Sequence, residues 1–492
     1  MKPLRQFIQT SAKTVATAFV QLEAKAGAVE RLLAIAWSAI ENSCRQILSL
    51  AFFFVSVHFL HPNDLGIFSM ALAINSIPMI FIDEMVGESL IQKTETSLAD
   101  WNTGFTINVL LAVGFLVLML FLSAPLAHLL NAPSLRLAIP ILSFASLAGA
   151  LGAIQKAYLG RLLRFRLIAQ SALIGQIVSG AVAVGLAVKG FGYWALIENV
   201  VGGAIVCSIV LWWYCPWKPH FHISLETIRT RRTYAAYVVI IRSIYLLRDQ
   251  SPLIIAGLWF GLTEMGFFSL ALRVARSLSM MFEDVTTRPL LAIVSREQHD
   301  MTQFGLHLID ALSFVATLAL PSYFGLAVIG PQLLPVVFGH AWTPAGVYLP
   351  WVCIVLGSWL ALHITAVCLR ARLLGSFAVA LTATLTLLDV GILTGLAPFG
   401  LQTAVFGWAM RNLLSLPIAV YMLHTRLGVS VISLLKRCAS SLVATLCMVG
   451  IMLIFKTSGI TGNPELIFII AVAGLIYCLV TAVVNLTQRK TS

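Results

Sequence analysis

Thr263 to Leu291 reads TEMGFFSLALRVARSLSMMFEDVTTRPLL, and two hundred residues earlier Asn63 to Ile91 reads NDLGIFSMALAINSIPMIFIDEMVGESLI. The two align without a gap. Gly66, Phe68, Ser69, Ala71, Leu72 and Leu90 recur as Gly266, Phe268, Ser269, Ala271, Leu272 and Leu290. Asp64 returns as Glu264, and Asp83-Glu84 as Glu283-Asp284. Arg273 and Arg276 stand where the first copy has Ala73 and Ser76. A repeat at fixed period predicts a chain of two similar halves, with these arginines belonging to a site between them. The competing reading is chance similarity between two apolar helices, whose restricted alphabet inflates matches.

Composition sets the solvent. Of 492 residues, 59% are hydrophobic and 11% charged, with mean hydropathy +0.93. Soluble domains carry roughly 25% charge, so this is an all-α, polytopic membrane protein. Residues 1–31 lack the short apolar core and small-residue cleavage site of a secretory signal, and are expected to form a cytoplasmic arm. The arm carries Lys2, Arg5, Lys13, Lys25 and Arg31. Its spacing suits an amphipathic helix on anionic lipid as well as a loosely ordered tail. The net charge of +12 sits in short loops between apolar runs, which argues for positive-inside bias and against a nucleic-acid partner. The eight cysteines form no CxxC and no Cys/His cluster, so no metal, cofactor or disulfide framework is expected.

A membrane-spanning helix needs about 20 apolar residues. Fourteen stretches qualify: 32–60, 66–86, 102–130, 136–155, 167–188, 192–214, 234–260, 264–286, 304–330, 347–369, 374–396, 401–424, 438–456 and 465–486. With the N-terminus inside, 23 basic residues fall in cytoplasmic segments and 3 (Arg136, Lys189, Lys456) in outer loops. That ratio orients the chain with both termini cytoplasmic. The first and seventh spans both start inside, so the repeat is parallel. Two six-helix lobes follow, 32–214 and 234–424, joined by a cytoplasmic linker at 215–233 and extended by two further helices at 438–486. A parallel repeat places the substrate site at the interface of its halves. Trp212, Trp213 and Trp217 are expected in an interfacial aromatic belt.

Six arginines lie within spans: Arg45, Arg242, Arg248, Arg273, Arg276 and Arg411. Arg273 lies roughly 13 Å from the outer end of its helix, near the midplane of a core about 30 Å thick. Each central arginine costs about 2.5–3.5 kcal/mol against insertion, so all six must face the protein interior or a water-filled cavity. The intramembrane carboxylates are Glu41, Glu198, Asp249 and Asp389, leaving a cavity of about +2. Glu41 and Arg45 are one turn apart, and Arg242 and Asp249 two turns apart. Both sets also read as ion pairs that pin helices. Pro252 is expected to bend the seventh helix. No acid lies within a turn of Arg273 or Arg276, and two guanidinium groups on one helix face suit anionic oxygens. The acids Asp83, Glu84, Glu283 and Asp284, at the inner ends of the second and eighth helices, read as a cytoplasmic gate or as solvated helix ends. Asp249, Glu41, Glu198 and Asp389 are candidates for proton or sodium coupling. The histidines show no ligand spacing.

Several stretches carry a family likeness. Leu60-His61-Pro62-Asn63-Asp64-Leu65-Gly66, Ser89-Leu90-Ile91-Gln92, Ala99-Asp100-Trp101-Asn102-Thr103-Gly104-Phe105, Arg161-Leu162-Leu163-Arg164-Phe165, Gly190-Phe191-Gly192-Tyr193-Trp194-Ala195-Leu196 and Glu264-Met265-Gly266-Phe267-Phe268-Ser269-Leu270-Ala271 come in order over about residues 32–300. The chain resembles Wzx-type polysaccharide transporters of the multidrug/oligosaccharidyl-lipid/polysaccharide flippase superfamily. Phe268 departs from the usual Tyr. The resemblance implies alternating access by two lobes in the bacterial inner membrane. It implies a polyprenyl-pyrophosphate-linked sugar repeat unit as substrate, for lipopolysaccharide O-antigen, capsule or exopolysaccharide. It also implies a lateral portal beside the first and eighth helices, membrane lipids as surroundings, and other polysaccharide-assembly proteins as partners. The expected function is therefore a flippase and not an enzyme. The alternatives are a multidrug and toxin extrusion antiporter, which favours an acidic cavity, and a membrane-embedded polymerase or acyltransferase, which needs long outer loops.

Overall fold

The computed structural model of the protein describes residues 44–79, 82, 97–296, 301–371, 375–457 and 463–491, with side chains described in part of these. The expected arm 1–31, Glu41, Asp83 and Glu84 lie outside the described residues, as do the side chains of Glu283 and Asp284. The described residues form helices joined by turns and short loops, and carry no strand. The first six helices are α1 (Cys44–His58), α2 (Pro62–Met79), α3 (Leu98–Leu129), α4 (Leu135–Arg161), α5 (Phe165–Val188) and α6 (Tyr193–Tyr214). There follow α7 (Leu225–Arg296), α8 (Met301–Phe338), α9 (Ala345–Ala371), α10 (Gly375–Leu396), α11 (Leu401–Leu414), α12 (Leu416–Leu427), α13 (Val431–Thr457) and α14 (Asn463–Thr491). Ten helices among the described residues are long and apolar enough to cross a membrane. The described part of each of the fourteen expected stretches is mainly helical, and the chain is a multi-pass membrane protein.

The seventh and eighth spans are the two arms of α7. Gly261 (φ 82°, ψ 176°) is the residue that breaks its helical geometry. A positive φ lets glycine end one arm and start another, whereas a proline such as Pro252 can bend a helix without leaving helical φ/ψ.

The chain divides into two compact units between Leu247 and Arg248. In the first, α4, α5 and α6 pack on glycine and serine. A Cβ at Gly175 would lie 2.9 Å from the Gly203 carbonyl oxygen, so the α5–α6 crossing is as close as backbones allow. Ser208 Oγ donates to Ala148 O (2.5 Å) and Trp212 Nε1 to Leu151 O (2.8 Å), joining α6 to α4.

Two of the three tryptophans assigned to a lipid belt are in the protein instead. Trp217 is buried and stacks on Tyr158 (centroids 5.4 Å), which meets Trp101 edge-on (5.3 Å). Trp212 is half-buried and Trp213 is 85% exposed. The indoles fill a core against Phe105, Ile154 and Leu211 because an aromatic ring buries more apolar area than any other side chain. Cys215 sits in the same cluster, and burial pushes its thiol up, away from thiolate chemistry.

The expected linker is built rather than loose. From Cys215 to Ser224 the chain is not helical. Its alternate amides, His220, His222 and Ser224, donate to Asn102 Oδ1 (3.1 Å), Thr106 Oγ1 (3.0 Å) and Thr103 Oγ1 (3.0 Å). The acceptors occupy the first turns of α3, started by a capping box between Ser97 and Asp100. The segment therefore lies as a strap along α3.

In the second unit, Thr317 Oγ1 of α8 meets Ser441 Oγ of α13 (2.7 Å), and Tyr477 OH of α14 donates to Thr317 O (2.6 Å). Ile329, Met448, Met452, Ile469 and Ala473 pack around them, so the last two helices dock on α8.

The repeated acid has a structural role in each unit. Asp64 accepts from the His61 and Tyr193 amides (3.2 and 3.4 Å), tying the turn after α1 to the N-terminus of α6, where an acid suits the helix dipole. Glu264 instead accepts the Tyr348 hydroxyl (2.5 Å) beside Phe268. Gly192 has φ +57°, and a Cβ there would lie 2.7 Å from Asp64 Oδ1. Gly190, at φ +80°, has nothing within 4 Å. Gly192→Ala should therefore lower the thermal midpoint in detergent more than Gly190→Ala, with a strain cost of about 1–3 kcal/mol plus the carboxylate collision. Equal midpoints would remove the role given to this contact.

Candidate functional site

The intramembrane charges of the second unit gather in two places. One is an arginine–aspartate–arginine clamp. Arg248 Nε and Nη2 both donate to Asp249 Oδ1 (2.8 and 2.6 Å), and Arg276 Nη2 donates to Asp249 Oδ2 (2.5 Å). Both carboxylate oxygens are thus held by guanidinium groups. The Arg248 guanidinium also lies 3.7 Å over the Trp359 ring of α9, a cation–π contact on its flat face. Trp359 in turn meets His363 at 5.9 Å.

The clamp adds partners that spacing along one helix does not show. One reading paired Asp249 with Arg242, two turns away on its own helix, and no acid stands within a turn of Arg276 along the sequence. Asp249 lies 12 residues before Gly261 and Arg276 lies 15 after. At about 1.5 Å per residue the two are nearly level on antiparallel arms of α7. The acid reaches Arg276 from across the break, a distance that spacing along one helix does not measure.

Arg273 stands one turn before Arg276 and is half-buried. Three guanidinium groups thus gather near one carboxylate. The Arg276 side chain is 38% exposed, against 19% for Arg248, so Arg248 is the more enclosed of the two. Guanidinium groups present planar forks of N–H donors, stay charged, and fit phosphate oxygens two at a time.

The second place is closed. Arg411, expected in the anion cavity, is in an ion pair with Asp389, the side chains 10% and 9% exposed. Asn412 Nδ2 donates to the same Asp389 Oδ1 (3.2 Å). The turn at Ala397–Phe399 folds α11 back on α10 and brings the pair level. Arg411 and Asp389 therefore compensate each other.

The other expected residues are elsewhere. Arg45 is exposed on α1, Arg242 is half-buried in the first unit's part of α7, and Glu198 is half-buried on α6. Sequence reasoning missed Trp359, which seats Arg248. An aromatic residue in the middle of an apolar span carries no signal of that role.

Other proteins share this architecture. A structure of the lipid II flippase MurJ in an inward closed conformation matches with TM-score 0.72 at 13% identity, covering 91% of this chain and 98% of that one. An inward-facing multidrug resistance MATE family transporter of the MOP superfamily matches with TM-score 0.58 at 13% identity, covering 80% and 98%. The fold is therefore one used by membrane transporters. The chain belongs to the polysaccharide biosynthesis protein family, which matches residues 56–346. It is 27% identical over 328 residues to the lipopolysaccharide biosynthesis protein WzxC of Escherichia coli (strain K12), covering 65% of each chain. It is 22% identical over 311 residues to the succinoglycan biosynthesis transport protein ExoT of Rhizobium meliloti (strain 1021), covering 63% of each. The matched region thus spans about two thirds of the length of these relatives.

Removing one partner of a buried ion pair strands the other charge, at a cost of about 3–5 kcal/mol. Arg411→Leu or Asp389→Leu alone should lower the thermal midpoint in detergent strongly. The double variant should regain most of the loss. Additive losses would contradict the closed pair.

Proposed function

We propose that this protein carries a polyprenyl-pyrophosphate-linked oligosaccharide repeat unit from the inner to the outer face of the bacterial cytoplasmic membrane, supplying a surface-polysaccharide pathway. The observation that carries the reading is the gathering of Arg248 and Arg276 on Asp249, with Arg273 one turn away, in a membrane-embedded unit. A cationic drug would meet repulsion there, whereas a pyrophosphate or an acidic sugar meets donors already desolvated, where electrostatic contacts are strong. Asp249 holds Arg276 in place, and Arg248, braced by Trp359, holds Asp249. Arg273 and Arg276 supply the anion contacts. Flipping needs no covalent step. The site must alternate its exposure, and the lipid tail stays in the bilayer throughout.

Family membership and the transporter fold support the reading, as does the description of WzxC and ExoT as polysaccharide biosynthesis and transport proteins. The proposed topology places both termini in the cytoplasm, on the strength of the basic loop residues.

At normal protein level, Arg273→Ala and Arg276→Ala should each abolish surface polysaccharide in a strain lacking the gene, with the lipid-linked intermediate accumulating inside. Arg276→Lys should restore it in part, because a lysine keeps the charge but loses the fork. Full complementation by the Arg273→Ala/Arg276→Ala double variant would overturn the assignment.

A further inference from the structure

The two units treat buried charge differently. In the second, Asp249 and Asp389 are each held by arginine. In the first, Glu198 sits five residues into α6, about 8 Å along the helix from its start, and its Oε2 is buried without a hydrogen-bond partner. The side chain is folded against α6 itself, since a Cβ at Gly202 would collide with Oε1 and would lie 3.6 Å from Ser179 Cβ of α5. Glycine at 202 is what leaves room for the carboxyl at this crossing.

The polar groups near this crossing bond to one another. Ser179 Oγ donates to Gly175 O (2.8 Å) and to Asn199 Oδ1 (3.2 Å). Gln176 Nε2 donates to the same Asn199 Oδ1 (3.3 Å). The charged and titratable groups of the helices packed on α6 lie toward their ends. Helix α2 brings Asp64 at the α6 cap; α4 brings Arg136 at one end and Lys156, Tyr158 and Arg161 at the other; α5 brings Arg166 and, just beyond its last turn, Lys189. On α6 itself the other titratable groups are Tyr193, Cys207 and Tyr214.

We propose that Glu198 is a proton-binding site that couples the transport cycle to the proton gradient. This coupling role rests on the transporter reading above. An ionised carboxylate buried without a counter-charge is costly, and a proton removes the cost at a single oxygen. A metal cation needs several oxygen ligands, and here Asn199 Oδ1 already accepts from Gln176 and Ser179. In the step itself, a proton from water on one side adds to a Glu198 carboxylate oxygen and forms an O–H bond. The group changes from acceptor to donor. The same O–H bond breaks when the site opens to water on the other side. The first unit then carries the coupling proton and the second the anionic cargo.

Infrared difference spectroscopy of the purified full-length protein in liposomes, titrated through the physiological pH range, tests the site without any substrate. The wild type should show a protonated-carboxyl C=O band that loses intensity as pH rises. Glu198→Gln should lose that band, and Glu198→Asp should retain it at a shifted frequency. A wild-type protein with no titrating carboxyl band, or a band that persists in Glu198→Gln, overturns the proposal even if the variants fold poorly. The same titration in sodium-free buffer must leave the band unchanged, and sodium-dependent loss of it would make the site a sodium site instead. Arg276→Ala should keep the band while losing polysaccharide export. The cargo reading and the proton reading therefore fail separately.

Discussion

A guanidinium group in hydrocarbon persists only where a carboxylate, a ring face or a ligand answers its charge. The second unit meets that constraint in two ways. Arg411 and Asp389 pair with each other, one charge against one. Around Asp249 one carboxylate serves Arg248 and Arg276, with Arg273 a turn away. In the proposed function, the anionic oxygens of the cargo are the further answer to these guanidinium groups.

The break at Gly261 makes the cluster. A positive φ at one residue folds a 72-residue helix back on itself and sets Asp249 level with Arg276. The first unit shows the same use of glycine at α6. There Gly192 admits the Asp64 carboxylate to the helix cap, and Gly202 admits the Glu198 carboxyl to the α5–α6 crossing. In both units small residues determine where a charge can sit within an apolar bundle.

Much of this was legible from hydropathy and spacing. Apolar runs of membrane length located the helices because the backbone in lipid must satisfy its own hydrogen bonds. The six arginines stood out because they are expensive there. Partners were not legible. Asp249 was assigned along its own helix to Arg242, since periodicity reports only neighbours on one helix, while the actual contact crosses Gly261. Trp217 carried an interfacial signature and turned out to stack on Tyr158, because a strap pinned to Asn102, Thr103 and Thr106 carries it back into the protein. The family-like stretch around Asp100 and Asn102 forms a capping box and docks the strap.

The central claim is that the Asp249 cluster holds the pyrophosphate of the cargo. Direct binding of a polyprenyl pyrophosphate to the purified protein, measured by native mass spectrometry over a range of ionic strength, tests it. The account predicts saturable binding that weakens as salt rises and falls at least tenfold, about 1.4 kcal/mol, in Arg273→Ala/Arg276→Ala. Equal affinity in the wild type and the double variant, with no dependence on salt, would contradict it.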